Sequence, residues 1–157
     1  MSKHLDDIEP MIYESRISVP YQWWAGETAS AFFVSLRDRK IIQGTRCPDC
    51  SRVYVPPRKT CPSCFNRSMK PVEVSNSGTV TAYTVARRQF ASLPRKVPVI
   101  FGLVQLDGAD TSLLHYIEGV DPDEMSIGLR VEAEYAEERT GNIRDIKCFR
   151  AIGQERS

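Results

Sequence analysis

Histidine is nearly missing from this sequence: it occurs twice in 157 residues, as His4 near the N-terminus and His115 in an apolar run. A GxSxG elbow, a P-loop, an HExxH pair and a dinucleotide-binding glycine fingerprint are missing altogether, which removes the motif-bearing hydrolase, NTPase, metalloprotease and dehydrogenase classes. No apolar run approaches the ~20 residues that span a bilayer. The acidic opening "MSKHLDDIEPMIYESR" has no apolar segment of a secretory leader. The expectation is a cytoplasmic chain with no membrane association, in a compartment where thiols stay reduced. Strong net charge is absent too. The formal total is +1, so there is no global basic field of the kind a non-specific DNA binder uses. With 41% hydrophobic and 26% charged residues, the composition is that of an ordinary globular protein. The length suits one compact domain, or two small ones sharing a core.

The charge is unevenly spread. Residues 37–96 hold 13 cations against 3 anions, whereas residues 97–157 hold 6 cations against 12 anions. An anionic partner would therefore meet the middle of the chain.

Cysteine is the residue with a pattern. Four of the five stand in "RCPDCSRVYVPPRKTCPSC" as Cys47-x-x-Cys50 and Cys61-x-x-Cys64, separated by ten residues. Each CxxC knuckle brings two thiolates into one tight turn. Four thiolates form the closed tetrahedral shell that zinc accepts without geometric preference of its own. Such a shell leaves no position open for water or substrate, so the expected Zn2+ is structural, not catalytic. Two disulfides would need an oxidising compartment. Ser51 and Phe65 follow the second cysteine of each knuckle, where glycine often relieves crowding, so the knuckle backbone is expected to be strained or slightly different. The fifth cysteine, Cys148, lies beside Ile146 and Phe149 in the last expected strand and reads as a small core residue.

The remaining pattern is mainly β. Residues 1–40 read as an N-terminal arm and an amphipathic helix, with Ala29, Phe32, Phe33 and Leu36 on one face and a start at Gly26 or Thr28. Residues 41–70 read as the zinc ribbon, with "KIIQGTRC" and "RVYVPP" as short strands. Residues 71–152 hold a Ser-Gly turn at Ser77–Gly78 and then alternating segments "TVTAYTVARR", "VPVIFGLVQLD", "SLLHYIEG", "LRVEAEYAEE" and "IRDIKCFRAI". Five strands joined by hairpin-like turns suit a small five-stranded OB-fold barrel, and Gly102 within a strand fits its coiling. Residues 153–157 form a tail. Trp23, Trp24, Phe32 and Phe33 exceed what one helix needs for packing and are candidates for a partner interface.

The order of helical segment, "C-x-x-C…P-P-R…C-x-x-C" and small barrel resembles the acyl-CoA-associated OB-fold family with an N-terminal rubredoxin-like zinc ribbon, formerly a domain of unknown function. The matching residues are Cys47, Cys50, Pro56, Pro57, Arg58, Cys61 and Cys64, then Gly78-Thr-Val, "VPVIFGLVQLDGA" and "IGLRVEAEY", over about residues 25–150. The resemblance implies an accessory subunit of thiolase-superfamily enzymes in a hetero-oligomer. Such a subunit stabilises the enzyme and supplies part of its CoA or acyl-CoA site.

No catalytic set appears in the residues themselves, so the chain is not expected to be an enzyme alone. The candidates for a CoA ester are Arg87, Arg88, Phe90, Arg95 and Lys96 in "ARRQFASLPRKVP", where clustered cations beside an aromatic match phosphates and an adenine ring. Arg58 and Lys59 are weaker candidates. The competing reading is a zinc-ribbon/OB-fold protein that binds single-stranded nucleic acid, with Tyr83, Phe90, Phe101 and Tyr116 as stacking platforms. Against it, the acidic stretch from Asp107 to Glu138 would line the same barrel and repel phosphates.

Overall fold

The computed structural model describes residues 11–14 and 16–153. Residues 1–10 and 15 of the expected N-terminal arm, and residues 154–157 of the expected 153–157 tail, lie outside them. Residues 11–14 and 16–25 form no helix or strand and lie mostly exposed on the surface.

Helix α1, Glu27–Arg39, starts at Gly26, whose φ of 84° suits a residue without Cβ, and ends on Lys40 in the left-handed conformation. Arg37 and Arg39 stand at its negative end. Arg139 reaches back to donate from Nε to the Arg37 carbonyl at 2.7 Å. The helix buries Phe32, Ser35 and Leu36. Phe32 is only 2% exposed and belongs to the chain's own core, with Phe33 packed against the same cluster. The expectation that Phe32 faces a partner is therefore corrected: the apolar stripe is consumed by intramolecular packing.

A three-stranded sheet follows, in the order β2-β1-β3. Its strands are β1, Gln43–Arg46, β2, Val53–Tyr54, and β3, Lys70–Glu73. By pairing, β3 belongs to the ribbon, with Gln43 opposite Glu73 and Arg46 opposite Lys70, so the sheet ends beyond residue 70.

Five further strands close a barrel: β4, Ser77–Ala86, β5, Val99–Leu106, β6, Ser112–Glu118, β7, Arg130–Tyr135, and β8, Ile146–Ala151. Their order is β4-β5-β6-β8-β7, and β7 returns to β4. All pairings are antiparallel except β6 with β8. This closure is that of the OB-fold. Gly78 is a strand residue, not a turn: it pairs with Leu106 on one side and Val131 on the other. A Cβ there would lie 2.5 Å from the Gln105 carbonyl oxygen. At Gly102 a Cβ would meet Ile117 Cγ1 at 2.7 Å, which explains the glycine at that tight coil. The last segment begins later than its apolar pattern suggests. Ile143–Asp145 form a 3-10 turn capped by Asn142, and buried Asp145 accepts the backbone N–H groups of Thr140 and Gly141.

One buried cluster joins the parts. Leu36 of the helix, Val53 and Val55 of the ribbon, and Val104, Leu113 and Phe149 of the barrel belong to it. Polar contacts reinforce the joint. Asp110 accepts the Val53 N–H through Oδ2 at 2.8 Å and donates its own N–H to the Val53 carbonyl at 2.9 Å. Thr111 Oγ1 accepts from Val55 N and donates to Val55 O. The β5–β6 turn thus clamps the free edge of β2, and the ribbon is held by the barrel.

Candidate functional site

The two knuckles repeat one backbone design. Cys47 N–H donates to Arg52 and Ser51 N–H to Cys47; Cys61 N–H donates to Asn66 and Phe65 N–H to Cys61, all at 2.9 Å. The fifth residue of each loop takes a left-handed conformation, with φ 61° at Ser51 and 56° at Phe65. The strain expected from the missing glycines is present at both positions.

The four sulfurs lie within 4.8 Å of one another. Cys50 and Cys61 are 3.8 Å apart, close to the ~3.8 Å edge of a tetrahedron with ~2.3 Å metal–sulfur bonds. The donor set fits a tetrathiolate metal ion. Cys47 and Cys61 are buried, Cys50 is half-buried and Cys64 is exposed. Tyr54, whose role the sequence did not reveal, places its hydroxyl 3.4 Å from Cys61 Sγ. That hydroxyl, opposed by burial, is the largest influence holding the Cys61 thiol down to about 6. Cys64 is pushed up to about 12, first by its hydrogen bond with Cys50 and then by burial. Four neighbouring thiols therefore resist joint ionisation unless a cation offsets the charge. A metal ion held by all four sulfurs would have a closed shell, with no position left for substrate.

Cys148 is buried, and burial raises its thiol to about 12, which disfavours the thiolate at neutral pH. His115 is buried between Phe149 and the backbone carbonyl of Ile143, 3.2 Å from Nε2. Its Nδ1 has no hydrogen-bond partner among the described residues.

The expected anion loop is changed by its long-range neighbours. Arg87 is ion-paired with Asp123. Arg95 pairs with Glu118, donates to the Lys147 carbonyl and lies 4.1 Å over the Tyr116 ring. Arg88, Lys96 and Phe90 are exposed, and Arg88 and Lys96 make no ion pair among the described residues. The loop borders a cavity of about 500 Å³ lined by Arg95, Lys96, Tyr116, Glu118 and Arg150. Arg150 is bound to Glu134 and Glu118, so most of the positive charge there is already compensated. Arg95 also covers Tyr116, removing one stacking platform from the nucleic-acid reading.

A second cavity, of about 330 Å³, lies between the start of α1 and the ribbon. Arg58, Lys59 and Arg67 line it, above Met69 and Pro57. Thr45 holds Arg58 by a reciprocal pair, with Oγ1 accepting from Arg58 N at 2.8 Å and donating to Arg58 O at 3.0 Å. The segment before α1 is an apolar strip. Met11, Ile12, Tyr13, Ile17, Tyr21, Trp23 and Trp24 are all exposed, the last two by 73% and 77%. No helix among the described residues is long and apolar enough to cross a membrane.

Comparison with known proteins gives this geometry a family. Residues 39–70 match the ChsH2 rubredoxin-like zinc ribbon domain and residues 71–136 the ChsH2 C-terminal OB-fold domain. The chain is 26% identical over 101 residues to a DUF35 domain-containing scaffold protein of Methanocaldococcus jannaschii, covering 64% of this chain and 71% of that protein. It is 30% identical over 111 residues to a probable enoyl-CoA hydratase alpha subunit of Thermomonospora curvata, covering 71% of this chain but 34% of that protein. Among solved structures, the Ltp2-ChsH2(DUF35) aldolase superposes with a TM-score of 0.61 at 25% identity, over 82% of this chain and 98% of the other. A DUF35 protein of unknown function from Sulfolobus solfataricus shares the fold, with a TM-score of 0.60 at 23% identity over 80% of this chain and 84% of its own. With its ChsH2-type zinc ribbon joined to a ChsH2-type OB-fold, the chain belongs to the DUF35 family.

Proposed function

We propose that this protein is a non-catalytic scaffold subunit of an enzyme that handles CoA esters, of the thiolase superfamily, and that its four cysteines hold a structural Zn2+. The observation that carries the proposal is the apolar strip at residues 11–24, with Trp23 and Trp24 exposed beside a fully folded core. Large apolar residues left in water at this density mark a surface that another protein covers. Cys148, the one cysteine outside the sulfur cluster, is buried, and a metal on four sulfurs would have no open position. Relatives called scaffold proteins, a hydratase subunit and an aldolase complex support an enzyme partner and a CoA ester as its substrate. In the complex, the exposed Arg88, Phe90 and Lys96 would face the CoA moiety, while Arg87 and Arg95 order their loop. The site of action is the cytoplasm.

The test is removal and replacement. The partner enzyme, isolated with this chain from the native host, is expected to lose most of its turnover of CoA esters when the chain is stripped away, and to recover it on addition. The chain alone should turn over none. An enzyme indifferent to removal, or a chain active alone, contradicts the proposal.

A further inference from the structure

Three cations that line one ribbon cleft, Arg58, Lys59 and Arg67, make no ion pair and no side-chain hydrogen bond among the described residues. They converge on the cleft of about 330 Å³ beside α1, where Glu27 is the one lining carboxylate. This contrasts with the 87–98 loop, where Arg87 and Arg95 are matched to Asp123 and Glu118. Converging like charges repel, and a chain gains nothing from such an arrangement unless an anion visits it. The reciprocal bonds from Thr45 fix the Arg58 backbone at the rim, so part of the ordering cost is met before a ligand arrives. Met69 and Pro57 give the cleft an apolar wall, suited to an organic group carrying the anion.

We infer that this ribbon cleft is a phosphate-binding site for a phosphorylated small molecule, with Arg58 and Arg67 as its guanidinium ligands and Lys59 as a point charge. Identifying that molecule as the nucleotide end of a CoA ester rests on the proposed function; the existence of the site does not. Trp23 and Trp24 lie within three residues of Gly26, at the start of the helix that walls the cleft, so their fluorescence is a local reporter.

The experiment titrates the full-length, metal-loaded chain with inorganic pyrophosphate and with adenosine 3′,5′-bisphosphate, following tryptophan emission and heat of binding. The double variant Arg58→Gln/Arg67→Gln alters exposed side chains, and circular dichroism confirms its fold. Binding to it is expected to weaken about tenfold or more, while Lys40→Gln/Arg144→Gln, which removes two exposed cations away from the cleft, binds like the parent. Unchanged affinity in the ribbon variant, equal loss in the control variant, or no binding of either probe by the parent overturns the site. The KM of the enzyme complex for its CoA ester then separates the two claims. A rise in the ribbon variant assigns the site to CoA. Lost phosphate binding with an unchanged KM keeps the site and removes CoA as its ligand.

Discussion

Ser51 and Phe65 hold left-handed backbone conformations that cost an L-residue roughly 1 kcal/mol or more. Glycine would relieve that cost but widen the unfolded ensemble. Because Phe65 is 77% exposed, its removal sacrifices little packing. Phe65→Gly is therefore expected to raise stability by roughly 0.5 kcal/mol, read as a shifted denaturant midpoint; a fall would show that the ring itself contributes. Loss of a ligand should act in the opposite direction and much more strongly. Cys61→Ser is expected to abolish stoichiometric zinc by elemental analysis and unfold the ribbon, since structural zinc contributes on the order of 10 kcal/mol in small fingers. His115 gives a pH dependence. Burial keeps its imidazole less basic than the ordinary value near 6.5, with Arg95 adding to the effect. As pH falls through about 6.5 the unfolded chain takes up the proton first, so stability is complete above that value and declines below it. Glu134 adds a later loss. Arg150 and Lys147 hold its carboxyl down to about 2, so its contribution persists above about 4.5 and disappears toward pH 2. His115→Gln should flatten the stability profile between about pH 7 and 5 while leaving the steeper acid limb; an unchanged upper limb contradicts this account.

The elements differ in how far local sequence reveals them. The sulfur site was legible because each knuckle is a local turn and the two lie ten residues apart. The barrel strands were legible from their alternation and turns. The details that decide surface chemistry were not, because they connect distant residues. Arg87 meets Asp123 across 36 positions, and Asp110 reaches Val53 across 57. Ser77–Gly78 reads as a turn by composition, yet a barrel needs glycine there because two neighbouring strands pack against it. Ile143–Asp145 reads as strand by its apolar start, and the Asn142 cap with the buried Asp145 carboxylate redirects it. The crossing points predict an ordered pair of effects. Gly102→Ala pushes against the Ile117 side chain and should cost about 1–3 kcal/mol, while Gly78→Ala meets backbone that cannot rotate aside and should cost more. Comparable denaturation midpoints for the two would argue against the barrel register. Asp110→Ala should cost about 1–3 kcal/mol by leaving the Val53 amide unpaired, and hydrogen exchange at Val53 reads that loss directly.

At the scale of the molecule, helix, ribbon and barrel share one core, while a segment of unusual apolarity lies outside it. A metal on the four sulfurs would fasten the far end of the ribbon, and the Asp110 and Thr111 clamp fastens its near end. The helix face that reads as available in the sequence is used internally, which leaves the exposed Trp23 and Trp24 as the residues for the proposed contact. Trp23→Ser/Trp24→Ser should leave thermal stability unchanged and weaken the enzyme complex by at least about tenfold. The most direct measurement is native mass spectrometry of the tagged chain captured from its own cells. The account predicts an assembly containing a CoA-ester-handling enzyme, with one zinc for each copy of this chain. The chain recovered alone, or bound to RNA in place of an enzyme, would contradict it.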